Sequence, residues 1–361
     1  MHYIIYNSRA YNMNTLITLY TTAWGGAEES VLDLAREIAN KGVETTVLWI
    51  SNYEPHQHLL SGGNFKLICL QLSPKVYSFL APVLVAYLCI RYRIQIVNLN
   101  WRFVKEESRY LKYLRVRTVA TVRAILFDKD NCREFDNTDA VIGVSEAVTH
   151  RMKEIGYRHP LFTIYNGINV SRLKTFNPSN YHPTLILSMS RLVAWKRIDW
   201  TIKAVNKLRR KGIPLILDIY GEGSEWDNLN NLIKSLQASS YIKLRDYIDN
   251  NSSKLSKYGI FVIPSFKEPF GRTIVENVLR ERVLVGSKSG GIPELLPDYP
   301  LLFQYQNFSD YVKKIELAYK NYPQYQRLIQ SYKSHFKGKF NMARVADDYI
   351  KVYNRLCKNV I

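Results

Sequence analysis

Cysteine is scarce in this chain. Four cysteines stand in 361 residues, at Cys69, Cys89, Cys132 and Cys357. None of the gaps between them is a ligand-like spacing, which argues against a disulfide frame and against a zinc site; reduced thiols in a cytosolic protein are expected, with no metal. Long apolar runs are also wanting: the stretch 79–90 is shorter than a bilayer-spanning segment and is interrupted by Pro82, so no transmembrane span is expected. The first residues lack a basic region followed by a continuous apolar core, so no secretory signal is expected either. There is no internal repeat and no low-complexity tract. Acid is in short supply as well: 31 Asp and Glu face 50 Lys and Arg, for a net charge of +19.

A surplus of that size implies an anionic partner, either a nucleic acid or an acidic membrane surface. No recognisable nucleic-acid motif accompanies the charge, so nucleic acid is not expected. The surplus is partly local: residues 75–133 hold twelve basic and four acidic residues. There the cations alternate with aromatic and apolar residues, as in Trp101-Arg102-Phe103 and Tyr110-Leu111-Lys112-Tyr113-Leu114-Arg115. Such a face suits anionic headgroups, each cation near the surface contributing about 1 kcal/mol. An anionic membrane surface is therefore the expected partner, and peripheral attachment to the inner face of the membrane the expected location. A solvated basic face without a partner is the plain alternative.

What remains is ordinary globular composition, 47% hydrophobic and 22% charged, in a chain with room for two domains. Strand-like and helix-like runs alternate, which argues for parallel sheets built from βαβ units. Leu16 to Tyr20 reads as a strand, Gly25-Gly26 as a tight loop and 27–41 as a helix stopped by Gly42. Strands follow at 43–50, 94–97, 118–122, 140–144 and 162–165. A second series opens at 184–189, with a helix through Ile198, Ile202, Val205 and Leu208, a strand at 215–220, and the turn Gly221-Glu222-Gly223. Then come a helix at 225–236 and short strands at 242–244 and 260–263. The first convincing strand begins near Thr15, so 1–14 reads as an extension with Met13 as the expected true start.

One spacing carries most of the functional signal. Seven residues separate Glu268 from Glu276 in Lys267-Glu268-Pro269-Phe270-Gly271-Arg272-Thr273-Ile274-Val275-Glu276. Ile260 to Ile263 before it is a buried strand and Ile274 to Leu279 a helix, so one carboxylate sits on the strand-to-helix loop and the other within the helix. Both face the carboxyl end of the strand, where open α/β sheets bind ligands. Two acids there suit the hydroxyls of a sugar and of a ribose; a capped helix with a surface glutamate is the bland alternative.

Further motifs shift the balance. They are Trp24-Gly25-Gly26-Ala27-Glu28, Gly143-Val144-Ser145, Tyr165-Asn166-Gly167-Ile168, and Ser190-Arg191-Leu192 with Lys196. Tyr220-Gly221-Glu222-Gly223, Pro264-Ser265 and Ser289-Gly290-Gly291-Ile292-Pro293-Glu294 complete the set. In this order and at these separations the chain resembles the retaining glycosyltransferases of family 4. The resemblance implies the GT-B fold, two Rossmann-like doubly wound domains facing each other across a cleft. Its divisions here would be an N-terminal extension at 1–14, an acceptor-binding domain at 15–170, a nucleotide-sugar-binding domain at 171–337, and a C-terminal helix at 338–361 crossing back to the first domain. It implies a hexosyl-type transfer from a nucleotide-diphosphate sugar to a glycan or lipid-linked acceptor, in surface polysaccharide or glycoconjugate synthesis, without a metal.

By the same resemblance Arg191, Lys196 and Glu268 are the catalytic candidates. Donor contacts would come from Gly25, Gly26, Gly221, Gly223, Glu268, Phe270, Gly271, Arg272, Thr273 and Glu276, with Glu276 on the ribose hydroxyls. The chemistry explains the cations: a departing diphosphate needs its charge stabilised, and hydrogen bonds to charged groups contribute about 1.5–3 kcal/mol each. Asp128-Lys129-Asp130 mimics a metal-binding DxD but is read as loop chemistry. One position departs from the family pattern. Many relatives carry a histidine after the strand that reads Thr118 to Val122 here, and this chain has Arg123, a possible contact to a phosphate, an acidic sugar or the acceptor. That exchange keeps open a non-catalytic sugar-nucleotide or glycan-binding partner subunit, and the shared fold keeps open a sugar-nucleotide epimerase.

Overall fold

The computed structural model of the chain describes residues 13–22, 24–52, 63–100, 102–125 and 129–358. Trp101, Asp128 and the histidines His2, His56 and His58 lie outside the described residues. The chain divides into two compact units, Met1–Asn169 with Asn341–Ile361, and Val170–Phe340.

The first unit is built on a parallel sheet. In chain order its elements are β1 (Asn14–Thr21), α1 (Gly26–Asn40), β2 (Glu44–Ser51), β3 (Lys66–Gln71), α2 (Pro74–Arg91), β4 (Ile96–Asn100) and α3 (Val104–Ser108). There follow β5 (Arg117–Val122), β6 (Ala140–Gly143), α4 (Glu146–Glu154) and β7 (Leu161–Thr163). The strand order is β3-β2-β1-β4-β5-β6-β7, and β1 lies in register with β2 through Ile17↔Val47 and with β4 through Ile17↔Asn98. β1, β2, β4, β5 and β6 are buried almost throughout, on both faces, as expected of a parallel sheet, whereas the edge strands β3 and β7 are partly exposed. β1 begins at Asn14 and Met13 is buried in the core, so the last residues of the expected extension belong to the fold.

The second unit repeats the plan. Its elements are β8 (His182–Met189), α5 (Ile198–Arg210), β9 (Ile216–Tyr220), α6 (Trp226–Ser235), β10 (Ile242–Arg245), β11 (Tyr258–Ile263), α7 (Arg272–Leu279), β12 (Val283–Ser287), α8 (Ile292–Leu295), β13 (Leu302–Phe303), α9 (Phe308–Lys320) and α10 (Tyr322–Lys339). The sheet order is β10-β9-β8-β11-β12-β13. α5 turns its stripe of Ile198, Ile202, Val205 and Leu208 inward, as its spacing predicts.

Two expectations are corrected here. The stretch 79–90 is part of α2, an 18-residue helix that is long and apolar enough to cross a membrane by length and composition. Pro82 lies inside it without ending it; Lys75, Ser78 and Arg91 sit within the same helix and broke the apolar run in the sequence. Residues 338–340, expected to open the C-terminal helix, instead end and cap α10, and Phe340 packs on Phe270 and Phe336 within the second unit. The last helix, α11 (Met342–Lys358), belongs to the first unit. Its Val345, Ala346, Tyr349 and Tyr353 share one core with Val31, Leu34 and Ile38 of α1.

Candidate functional site

In an open parallel sheet the ligand-binding crevice lies at the carboxyl ends of the strands, where the strand order reverses. In the second unit that point is between β8 and β11. The loop after β8 carries Arg191 and Lys196, and the loop after β11 carries Glu268. An ion pair joins them: Lys196 Nζ lies 2.6 Å from Glu268 Oε2, with both side chains almost fully buried. Lys196 Nζ also lies 4.1 Å from the centre of the Trp195 ring. The Phe266 N–H donates to the Trp195 carbonyl at 2.7 Å and tightens the two loops together. A carboxylate offers about four acceptor positions, so Glu268 keeps capacity for hydroxyls beyond its lysine.

Close backbone packing fixes this pair. Gly290 has φ +62°, and a Cβ there would stand 2.1 Å from the Glu268 carbonyl oxygen. Gly291 N–H then donates to that same carbonyl at 2.8 Å, and Ser289 Oγ accepts from Lys267 N–H at 2.8 Å. The turn after β9 uses glycine in the same way. Gly221 has φ +150° with a Cβ position 1.9 Å from Ser190 O, and the Leu192 N–H donates to Glu222 O at 2.8 Å. Gly221 and Gly223 are thus required for the turn to pack against the loop that bears Arg191, whose side chain is exposed.

Glu276 is one turn into α7 and is 2% exposed. Arg272 Nε donates to its Oε1 at 2.9 Å, and Asn250 Nδ2 donates to Oε2. Arg272 precedes Glu276 by four residues, the spacing of neighbours on one helix face. Gly271 forms the N-cap of α7 without a side-chain bond, and its carbonyl accepts from the Ile274 N–H at 2.8 Å. Phe270 is buried against Phe340, and the Thr273 carbonyl accepts from Asn277 Nδ2 at 2.7 Å. Asn250 and Ser289 join the site without being among the sequence candidates. Ser289 opens the Ser-Gly-Gly-Ile-Pro-Glu motif, whereas Asn250 lies in a polar loop whose sequence gives no hint of a partner 26 residues away.

In the first unit Gly25 and Gly26 open α1 directly after β1, again at a carboxyl end. Arg123 follows β5; its Nε donates to Asn100 Oδ1 at 3.2 Å and its Nη1 to Asn166 Oδ1. Beside it Thr121 Oγ1 donates to Asn98 Oδ1 at 2.8 Å, and Asn98 Nδ2 donates to Tyr353 Oη at 2.7 Å. Burial raises both Tyr353 and Tyr349 above the usual phenol value, Tyr353 well above it. The guanidinium of Arg123 is therefore oriented by two neutral carboxamides.

Each unit is thus an open parallel sheet, and in each the glycine turns and charged side chains lie at the carboxyl ends of the strands, which defines the doubly wound α/β class. The family model described as Glycosyltransferase Family 4 matches residues 24–172, and that described as Glycosyl transferases group 1 matches 171–335. The chain belongs to the family 4 glycosyltransferases and has the GT-B fold. It is 28% identical over 211 residues to the O-antigen biosynthesis glycosyltransferase WclY of Escherichia coli, a match covering 55% of this chain and 56% of WclY. It is 25% identical over 226 residues to the lipopolysaccharide core biosynthesis glycosyltransferase LpsE of Rhizobium meliloti, covering 60% of this chain and 65% of LpsE. The chain thus spans less than two thirds of these curated relatives. Among solved structures, Anabaena Alr3699/HepE in complex with UDP and glucose superposes with a TM-score of 0.81 at 18% identity, covering 95% of this chain and 100% of that one.

Proposed function

We propose that the protein is a retaining glycosyltransferase that moves a hexose, or a similar sugar, from a nucleotide diphosphate to a glycan or lipid-linked acceptor. The setting would be the synthesis of a surface polysaccharide or glycoconjugate, at the inner face of the membrane. The observation that carries the reading is the Lys196–Glu268 pair, 2.6 Å apart across the two loops that flank the sheet reversal. The names of WclY and LpsE support an O-antigen or lipopolysaccharide type of product. The UDP and glucose bound by HepE make a uridine diphosphate hexose the first donor to test.

In this reading Glu268 accepts hydrogen bonds from hydroxyls of the transferred sugar while Lys196 faces the diphosphate. Arg191 adds a second cation, and the positive end of the α7 dipole faces the same anionic charge. Gly25 and Gly26 stand at the same end of the dipole of α1. Glu276 takes the ribose hydroxyls on the acceptor positions that Arg272 and Asn250 leave over. The bond from the anomeric carbon to the diphosphate oxygen breaks, its electron pair leaving on the diphosphate. The acceptor hydroxyl oxygen forms the new bond on the same face, and its proton passes to an oxygen of the departing diphosphate. No protein nucleophile is required, and the two basic side chains supply the charge that a metal would otherwise bring. Arg123 receives an anionic group of the acceptor or donor.

The test is a panel of UDP-, GDP-, ADP- and dTDP-sugars, assayed for binding and hydrolysis with and without a chelator. Turnover of one donor, unaffected by the chelator, is expected. Glu276→Ala should raise the donor KM by about tenfold or more, the equivalent of one lost hydrogen bond to a charged group. An unchanged KM removes Glu276 from the site. Binding without any turnover supports the partner-subunit reading, and an isomerised sugar nucleotide formed without acceptor supports the epimerase.

A further inference from the structure

Helix α2 is apolar on nearly every side, and such a helix belongs in a protein core or in lipid. It holds no acidic residue, yet only 33% of its 18 residues are buried. One face is packed into the first unit through Tyr77, Ala81, Val85, Leu88 and Cys89. The other presents Val76, Phe79, Leu80, Val83, Tyr87 and Ile90. At about 100° per residue these six fall within an arc of roughly 100°. Phe79 is 83% exposed, Val83 65%, Tyr87 59% and Ile90 66%. Scattered exposed apolar residues need no explanation, but a contiguous stripe along four turns marks an interaction surface.

We infer that this outer stripe of α2 inserts shallowly into an anionic membrane surface, with the surrounding cations on lipid phosphates. The inference deepens the membrane-side reading given above and names the element that makes the contact. Tyr77 Oη donates to the buried Glu107 at 2.6 Å, which ties the inner face down, so α2 lies in the interface and does not cross it. Interfacial helices of this type sit about 5–10 Å into the headgroup boundary.

Charge selects lipid over a second copy of the chain. Lys75 and Arg91 stand at the two ends of the helix and Arg93 just beyond it, all exposed. The 3-10 turn Leu111–Leu114 packs beside α2 and brings Lys112, with its Nζ 5.0 Å from the centre of the exposed Tyr113 ring. On α2, α3 and this turn the acids are the half-buried Glu106 and the buried Glu107. Two such helices pairing would set cation against cation in either direction. Anionic headgroups complement the same cations, and Phe and Tyr at the rim suit the bilayer interface.

Sedimentation with vesicles of phosphatidylethanolamine and phosphatidylglycerol tests this, at low salt and at salt high enough to shrink the Debye length to about 3 Å. The wild type should bind in both, more weakly at high salt. Phe79→Ser with Val83→Ser should lower the partition coefficient by about tenfold or more in both, given the apolar surface withdrawn from lipid. Lys75→Gln with Arg91→Gln should lower it at low salt only. Wild-type binding abolished by salt, or unchanged by the serine pair, overturns the inference. So does a wild type that sediments as a dimer while the serine pair is monomeric and neither binds vesicles. Single Phe79→Trp and Val83→Trp variants give a second readout: a blue shift on adding vesicles is expected, and its absence overturns the inference even if the serine pair folds poorly. Donor hydrolysis in free solution should be the same in wild type and serine pair, so a failure of docking is distinguishable from a failure of the transferase reading.

Discussion

Lys196 and Glu268 are close to fully buried and hold each other at 2.6 Å. Two desolvated charges recover their cost only through good geometry and further hydrogen bonds, and removing one partner leaves the other uncompensated. The loops keep this arrangement because Gly290 allows the Glu268 carbonyl to be approached from behind. Lys196→Met preserves much of the side-chain volume and deletes only the charge. Under the proposed mechanism its cation acts on charge that develops as the diphosphate departs, so kcat should fall by about 10²–10³-fold. The donor KM should move far less, the opposite of the split expected of Glu276→Ala. Steady-state hydrolysis of the donor at several concentrations separates the two; a loss confined to KM would place Lys196 in simple donor binding. Arg191 is exposed where Lys196 is buried, so its removal should cost activity without the stability loss that accompanies an unpaired Glu268.

At the scale of elements, α2 is fastened by one buried acid. Glu107 of α3 accepts from Thr18 Oγ1 of β1 at 2.5 Å and from Tyr77 Oη of α2 at 2.6 Å. Burial pushes its carboxyl up to about 7, against the pull of those two hydrogen bonds and with a smaller push from Glu106. The folded protein therefore holds a proton here, between about pH 4.5 and about 7, that the unfolded chain has released. Stability consequently falls as pH rises through that window and levels off above it, by on the order of 3 kcal/mol from this group. Glu107→Gln keeps a neutral partner for Thr18 and Tyr77 and removes the titration. Thermal denaturation of both proteins from about pH 4.5 to 8 should show the variant gaining on the wild type as pH rises. Parallel curves would mean that Glu107 stays ionised in the fold.

Elements also differ in how far the sequence discloses them. The strands with continuous apolar runs and the helix of Ile198, Ile202, Val205 and Leu208 were legible because a local period or run defines them. β3, β12 and β13 were not picked out: β3 is an edge strand, partly exposed, and β13 has only two residues. α2 was legible as an apolar stretch but not as a helix, since Pro82 reads as a breaker and its two apolar faces leave no amphipathic period. In the site, the glycine turns and the Glu268 to Glu276 spacing could be read directly. The partnerships of Lys196 with Glu268 and of Asn250 with Glu276 join residues 72 and 26 apart. Only the sheet order brings such loops to one end, and no spacing along the chain encodes it.

At the scale of the whole molecule, the chain leaves the first unit at Asn169 and returns to it at Asn341. The returning segment is structural, because α11 fills the core that α1 and the sheet leave open. Met342, Val345, Ala346, Tyr349, Ile350, Val352, Tyr353 and Leu356 are all buried there. Tyr353 also satisfies Asn98 in the middle of the sheet. Burying a Val, Leu, Ile or Met side chain contributes about 1.5–3 kcal/mol, so the five of these in α11 are together comparable with the roughly 5–15 kcal/mol that usually separates folded from unfolded domains. All eight of these buried α11 residues belong to the core cluster of the first unit. A chain ending at Phe340 should therefore lose the first unit and keep the second. Calorimetry should show one cooperative transition smaller than that of the full chain, and limited proteolysis should leave a resistant fragment close to Val170–Phe340. If residues 13–169 stayed protected in the truncated chain, the first unit would be stable without its final helix. Tyr353→Phe is the mild form of the same experiment: it keeps the packing, strands the Asn98 amide, and should cost about 1–3 kcal/mol in the first unit's transition alone.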